Sequence, residues 1–437
     1  MSARETALNV LIGCRKQAAW SNAVLKEYIA RDKLDRRDAA LATRLCYGVL
    51  QNRSKLDFYL QQLLTGKLKD LHPAVRDILH LGIYQIYEMD KIPMSAAVNE
   101  GVALAKKYCK KQRFAPGLTN AVLRQAVRTK GQLKEPKTLE DRYSHPKALI
   151  DLLSDSIGAD RLEKMLEANN AMPQTVVQVN TLKTTKDALI EILAQEDVTA
   201  QPHQWMENSL VLSGTGNLEK LAAFQQGLFY VQDAAAKLSV QCAQIPAGAQ
   251  VLDCCSAPGG KSFAAAMILQ GQGSITSCDI HSHKIGLIQN GAKRLGITNL
   301  QALQHDATEF VPEWKDRMDV VLADVPCSGY GIIRKKPDIR YKDPKTMEDL
   351  PQLQLQILCN QAQYVKAGGT LLYSTCTLLR RENEDVVNAF LKQRDDFYTE
   401  PLALPAVFPK NTDGMLTLVP GEYDTDGFFI CRLRRKV

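Results

Sequence analysis

VLDCCSAPGGKS (251–262) runs from an apolar strand through a glycine-rich turn into the first residues of a helix. Gly259 and Gly260 allow a backbone to come close to a ligand. Asp253 closes the strand, at the carboxyl end where open parallel sheets bind their ligands. The turn has neither the G-x-G-x-x-G spacing of a dinucleotide site nor the G-x-x-x-x-G-K-[ST] spacing of a P-loop. Further along, ITSCDI sets Asp279 at the end of a second strand, placed for a ribose diol, and LQHDAT sets Asp306 at the end of a third. Any one of these aspartates could simply cap a turn. Three in this order, with no phosphate cradle, indicate an adenosine-bearing cofactor, and S-adenosyl-L-methionine suits the pattern better than NAD.

Around this turn the chain alternates strand and helix. QVLDCC, SITSCDI, LQALQHD, DVVLADV and GTLLYSTC read as strands, and KSFAAAMILQG, HKIGLIQNGAKRLG and QLQLQILCNQAQYVKAG as the helices between them. That order predicts an open, mainly parallel, doubly wound sheet over 241–437. FFICRLRR reads as a late antiparallel strand. Upstream, TVVQVNTLK and SLVLSG are strand-like and TKDALIEILAQE helical, which predicts a small α+β module over 141–240. Residues 1–140 read as helices throughout, with apolar positions at three-to-four spacing, hence an all-α bundle. In that bundle Ser95 and Thr119 are the expected helix caps.

The chain has 437 residues, 45% of them hydrophobic, and no apolar run long enough to span a bilayer. The N-terminal stretch lacks a signal-type apolar core, so a cytoplasmic protein is expected. Eleven cysteines and seven histidines show no metal-ligand or disulfide spacing, which argues against a disulfide scaffold or structural zinc site and fits a reducing compartment. Cys14, Cys46, Cys242, Cys359 and Cys431 read as small buried apolar residues. The net charge of +7 is mild, but residues 106–130 carry eight Lys and Arg and no acid, a ladder suited to a polyanion.

Two further cysteines stand out. ADVPCSGYG places Asp324 and Cys327 after the fourth strand of the sheet, and STC places Cys376 after the fifth. Core packing would account for either alone, but Pro326 and Thr375 beside them indicate fixed loops. Two thiols beside a methyl donor fit addition to a conjugated ring carbon. In cytosine, a thiolate added at C6 makes C5 enamine-like and able to take a methyl group, and Asp324 is the candidate to bond N3. The residues alone do not say which thiol attacks. GIIRKKPDIRYK (331–342) offers Arg334, Lys335, Lys336 and Arg340 to phosphates and Tyr341 to an unpaired base.

CSAPGGK (255–261), CDI, HDA (305–307), DVPCSGYG (324–331), RKKPDIR, STC, RRENED (380–385) and DGFF (426–429) together resemble the Sun/Fmu family of RNA cytosine-5 methyltransferases. LGIYQIYEMDKIPMSAAVNEGVALAKKY and LTNAVLRQAV are similar to the antiterminator-like helical domain of its bacterial 16S rRNA members, and YSHP (143–146) and QGLFYVQDAA (226–235) to their connecting region. The resemblance implies Cys376 as nucleophile, Cys327 as the thiol that assists release, and Lys261 near the base. It implies S-adenosyl-L-methionine held by Cys255, Ser256, Ala257, Pro258, Gly259, Gly260 and Lys261 with Asp279, Asp306 and Asp324. The implied partner is 16S rRNA, free or in an early assembly particle, with no membrane and no obligate protein partner. Methylation of tRNA or large-subunit rRNA, or a non-catalytic assembly role, are the other readings. The chain departs from the family pattern at Cys254, Ser256, Val325, Tyr330 and Arg380–Arg381. It also departs at Gln178, where an arginine is common and the loss of an RNA contact is expected.

Overall fold

The computed structural model describes residues 1–17 and 21–437. The helical reading of 1–140 is met at its start by Ala3–Gln17 and Ser21–Arg31, and its part across 18–20 lies outside the described residues. By packing the chain forms two units. One holds 1–152, 166–171 and 333–342, and the other 153–165, 172–332 and 343–437. The ranges expected from sequence, 1–140, 141–240 and 241–437, divide the chain differently. Residues 153–165 and 172–240 of the small module pack in one unit with the large sheet, whereas 141–152 and 166–171, with the decapeptide 333–342 from within the third range, belong to the helical unit.

The helical unit is built from Ala3–Gln17, Ser21–Arg31, Arg36–Gln51, Arg53–Leu63, Pro73–Glu88, Met94–Tyr108 and Ala115–Arg128. Pro73–Glu88 is its central helix. Val75, Ile78, Leu79, Ile83 and Ile86 are all buried, and Pro73 at its first turn uses a position that needs no amide donor. The two expected caps are corrected. Pro93 takes the cap position of Met94–Tyr108, so Ser95 falls inside the first turn. The next helix starts at Ala115 with Pro116 in its first turn, which leaves Thr119 in the buried interior.

The second unit contains two sheets. The small one has β1 (Thr175–Val179), β2 (Thr199–Pro202), β3 (Ser209–Ser213) and β4 (Phe229–Val231), antiparallel in the order β2-β3-β1-β4. β2 is a mostly exposed edge strand, TAQP, with no apolar alternation to reveal it in sequence. The large sheet has β5 (Gln250–Asp253), β6 (Ser274–Asp279), β7 (Leu300–Gln304), β8 (Met318–Asp324), β9 (Val365–Thr375), β10 (Phe397–Thr399), β11 (Met415–Leu418) and β12 (Phe428–Arg435). Its order is β10-β12-β9-β8-β5-β6-β7, with β11 also on β12. β5 to β9 are parallel and β12 runs against β9, as expected. The chain leaves β5 towards β6 and β7, then returns to β8 on the other side. The switch point therefore lies between Asp253 and Asp324, where such sheets open a ligand crevice.

Candidate active site

After β5 the chain turns sharply. Ser256 N–H bonds Cys278 O on β6 at 2.8 Å, and Gly259 N–H bonds Ser256 O at 2.7 Å. Gly259 has φ +108°, and a Cβ there would sit 2.5 Å from the Phe263 ring, so only glycine fits. The helix Gly260–Leu269 then begins with no side chain capping its first amides. Beneath the turn Asp253 is fully buried, and its Oδ2 accepts from Ser262 Oγ at 2.6 Å. Burial pushes this carboxyl up to about 7, with Ser262 opposing. Asp253 thus ties strand to helix.

Asp279 closes β6 almost buried, its Oδ1 accepting from His281 N–H at 3.0 Å with Lys284 Nζ 3.6 Å away. Asp306 lies two residues past β7. Its Oδ1 accepts from Thr308 N–H at 2.9 Å and Oγ1 at 2.7 Å, which holds the carboxyl below its usual range. Ser256 Oγ is buried with no hydrogen-bond partner. A turn that admits only glycine, open helix amides, an orphaned hydroxyl and acids past successive strands suit a bound adenosine-type cofactor.

β8 and β9 are neighbours with Asp324 opposite Ser374, so the loops leaving them abut. Cys327 and Cys376 stand with their sulfurs 3.3 Å apart, both free thiols. The contact with Cys376, together with burial and the nearby Glu382 and Asp324 carboxylates, pushes the Cys327 thiol well above its ordinary value. Gly331 N–H donates to Cys376 O at 2.9 Å, and Gly427 N–H to Gly331 O at 2.8 Å. A Cβ on Gly331 would lie 2.2 Å from Gly427 O, so DGFF supplies the backbone against which the Cys376 loop is set. Phe428 lies under Lys261, whose Nζ is 5.0 Å from the ring centroid. Lys261 joins turn to loops through Asp324: Nζ to Oδ2 is 2.7 Å, and Ser374 Oγ donates to Oδ1 at 2.8 Å. Burial opposes the ammonium charge, but Asp324 outweighs it and raises its pKa.

The basic loop behaves differently from its sequence reading. Ile333–Lys342 belongs to the helical unit, and Arg340 is 1% exposed there. Arg340 Nη1 donates to Gln51 O and Asn170 Oδ1 at 2.9 Å and to Tyr143 O and Ser144 O at 3.3 Å, and Nη2 to Asn169 O at 3.4 Å. Tyr341 OH donates to Leu50 O at 2.8 Å. Arg340 is therefore spent inside the fold and is corrected as an RNA contact, while Tyr341 is half-buried with its hydroxyl held within the helical unit. Arg334 is 7% exposed, which withdraws it from the solvent-facing role expected of it, whereas Lys335 and Lys336 are half-buried. Gln178 is also corrected. It is buried in β1, donating to Gln232 O at 2.9 Å and accepting from Ser209 Oγ, so it faces the core rather than RNA. Among the cysteines read as buried, Cys46, Cys242 and Cys431 are so, while Cys14 and Cys359 are partly exposed. Glu382, Asn383 and Gln354 carried no role in the sequence reading, although RRENED had been singled out as a motif.

Three family models match the chain: NusB over 1–128, the ferredoxin-like domain of RsmF/B-like methyltransferases over 145–219, and 16S rRNA methyltransferase RsmB/F over 242–434. The probable ribosomal RNA small subunit methyltransferase B of Bacillus subtilis is 35% identical over 100% of this chain and 99% of its own. The ribosomal RNA small subunit methyltransferase B of Vibrio cholerae is 33% identical over 93% and 92%. The crystal structure of PH0851 shares the fold, with TM-score 0.82 and 24% identity over 100% of this chain and 99% of that one. Fold and site together define an S-adenosylmethionine-dependent methyltransferase with three sequence modules. The chain belongs to the RsmB/F family of 16S rRNA methyltransferases, which confirms the resemblance read from its motifs. Among the described residues no helix is long and apolar enough to cross a membrane.

Proposed function

We infer that this enzyme methylates C5 of a cytosine in small-subunit rRNA through a covalent adduct with Cys376. The observation that carries the reading is the pair of free thiols 3.3 Å apart at the ends of adjacent strands, beside the Lys261–Asp324 pair. The Cys376 thiolate adds to C6, and the C5–C6 π electrons move into the ring towards N3 and O2. Asp324 delivers a proton to N3 as that charge develops, with the Lys261 ammonium beside it, and takes the proton back when the ring is restored. C5, now enamine-like, takes the methyl group. Loss of the C5 proton to a base then restores the double bond and expels the Cys376 thiolate, and Cys327 assists that release.

S-adenosyl-L-methionine supplies the methyl group when bound. Cys255, Ser256, Ala257, Pro258, Gly259, Gly260 and Lys261 would line its site, with Asp279 at the ribose and Asp306 and Asp324 at the remaining polar edges. The raised Cys327 thiol supports keeping this residue protonated while Cys376 attacks. The reacting base has to leave any stack to reach the thiols, so a flexible single-stranded site in free rRNA or an early assembly particle is the expected target.

The test is to map 5-methylcytosine after incubating the enzyme and labelled cofactor with protein-free 16S rRNA and, separately, with assembled subunits. Cys376→Ala is expected to abolish transfer, and Cys327→Ala to accumulate a covalent protein–RNA adduct. Accumulation in Cys376→Ala instead would reverse the two roles. Cofactor binding without transfer to any RNA would overturn the reading.

A further inference from the structure

Between the helix Leu350–Gln361 and the two thiol loops lies a short turn, Arg380–Glu382, followed by Asn383. Glu382, Asn383 and Gln354 are all buried, and their side chains bond the residues that flank the two cysteines. Glu382 Oε2 accepts from Ser328 N–H at 2.9 Å and from Gln354 Nε2 at 3.0 Å, while Gln354 Nε2 also donates to Pro326 O at 2.9 Å. The residues on both sides of Cys327 are thereby held. Asn383 does the same for Cys376: its Oδ1 accepts from Thr375 Oγ1 at 2.6 Å and its Nδ2 donates to Thr377 O at 3.1 Å. Ser328 Oγ and Thr377 Oγ1, 2.7 Å apart, join the two loops directly. Tyr373 OH, bonded to Glu382 O at 2.5 Å, fixes the turn to β9.

We propose that Glu382 and Asn383 are a positioning pair for the methyl transfer, each bracketing one thiol, so that one turn sets the spacing and register of Cys327 against Cys376. This rests on the covalent reading above. Neighbouring residues on one rigid turn transmit no slack between the loops, which a reaction needing both sulfurs at one base requires. The charge has its own part. Glu382 Oε1 is buried without a hydrogen-bond partner, so its charge is poorly screened there. Its negative charge disfavours a thiolate at Cys327 and keeps the proton there while Cys376 is the nucleophile. The two residues therefore act on different steps: Asn383 on attack, Glu382 on release.

The experiment compares full-length wild type, Asn383→Ala, Glu382→Ala, Glu382→Gln and Cys327→Ala on protein-free 16S rRNA. It reads kcat, KM for RNA, the single-turnover rate of adduct formation and the amount of adduct trapped on a denaturing gel. Asn383→Ala is expected to lower kcat and adduct formation by about 10- to 100-fold with KM unchanged. Glu382→Ala is expected to form the adduct and release it slowly, so that adduct accumulates as in Cys327→Ala. Glu382→Gln, which keeps the acceptor but loses the charge, is expected to recover only part of the lost release rate. If both alanine variants only lower the melting temperature and keep wild-type kcat, the pair is structural and the proposal fails. It also fails if Cys327→Ala traps adduct while Glu382→Ala shows wild-type release. Absence of adduct in Cys327→Ala would instead overturn the covalent reading itself.

Discussion

Asp279 and Asp253 are both buried acids at strand ends, yet they do different work. Asp253 is enclosed beneath the turn, its carboxyl pushed up to about 7 by burial, and it binds Ser262. Asp279 is 7% exposed, and His281 N–H engages one of its oxygens, Oδ1. Asp279→Ala is accordingly expected to weaken S-adenosylmethionine binding by about 10- to 100-fold, the value of one or two charged hydrogen bonds, as read by titration calorimetry. Asp253→Ala is expected to lower stability more than it lowers cofactor affinity. At this scale the sequence named both thiols, because Pro326 and Thr375 mark fixed loops. It did not name Glu382 or Asn383. Their work is hydrogen bonding to residues 54 and 28 positions away in one case and only eight and six in the other, and no local pattern displays that convergence.

Elements tell a second story through the segment 333–342. Its basic residues read as a phosphate contact, but Arg340 satisfies four backbone carbonyls and an amide oxygen in the helical unit. Arg340→Leu is expected to destabilise the protein by about 3–5 kcal/mol in urea unfolding. The RNA affinity of the folded variant should stay near wild type; a solvated phosphate contact would give the reverse. His145, in the same cluster, is buried with Nδ1 on Tyr143 O at 2.7 Å and Nε2 accepting from Asn169 Nδ2 at 3.2 Å. Burial, then the Arg340 charge, press its pKa well below 6.5. The unfolded chain therefore binds a proton that the folded one refuses, so stability present above pH 6.5 is lost as pH falls below it. His145→Gln is expected to flatten that slope, seen as a smaller difference in urea midpoint between pH 7.5 and pH 5.5.

For the whole molecule, charge distribution and core placement matter most. The acid-free run continues along the helix Ala115–Arg128, where Gly117, Ala121, Arg124 and Arg128 form one exposed stripe at three-to-four spacing. Phe114, 60% exposed, heads it, with Lys110, Lys111 and Arg113 just before. Small residues let a backbone approach, cations meet phosphates, and the aromatic can stack on a base. Replacing Arg124 and Arg128 together by Ala is expected to weaken rRNA binding and reduce the slope of log affinity against log salt by about 1–2. Phe114→Ala should weaken binding without changing that slope. The sequence by itself determined the alternation of strand and helix, the glycine turn, the acidic strand ends and the two thiol loops, because periodicity, glycine and proline act over a few neighbouring residues. Only the tertiary structure decided that the sulfurs meet at 3.3 Å, that Glu382 and Asn383 bracket them, and that Arg340 and Gln178 turn inward. A cationic or amide side chain has the same local signature whether it meets solvent, RNA or a buried carbonyl, and only the packing of distant segments chooses among them.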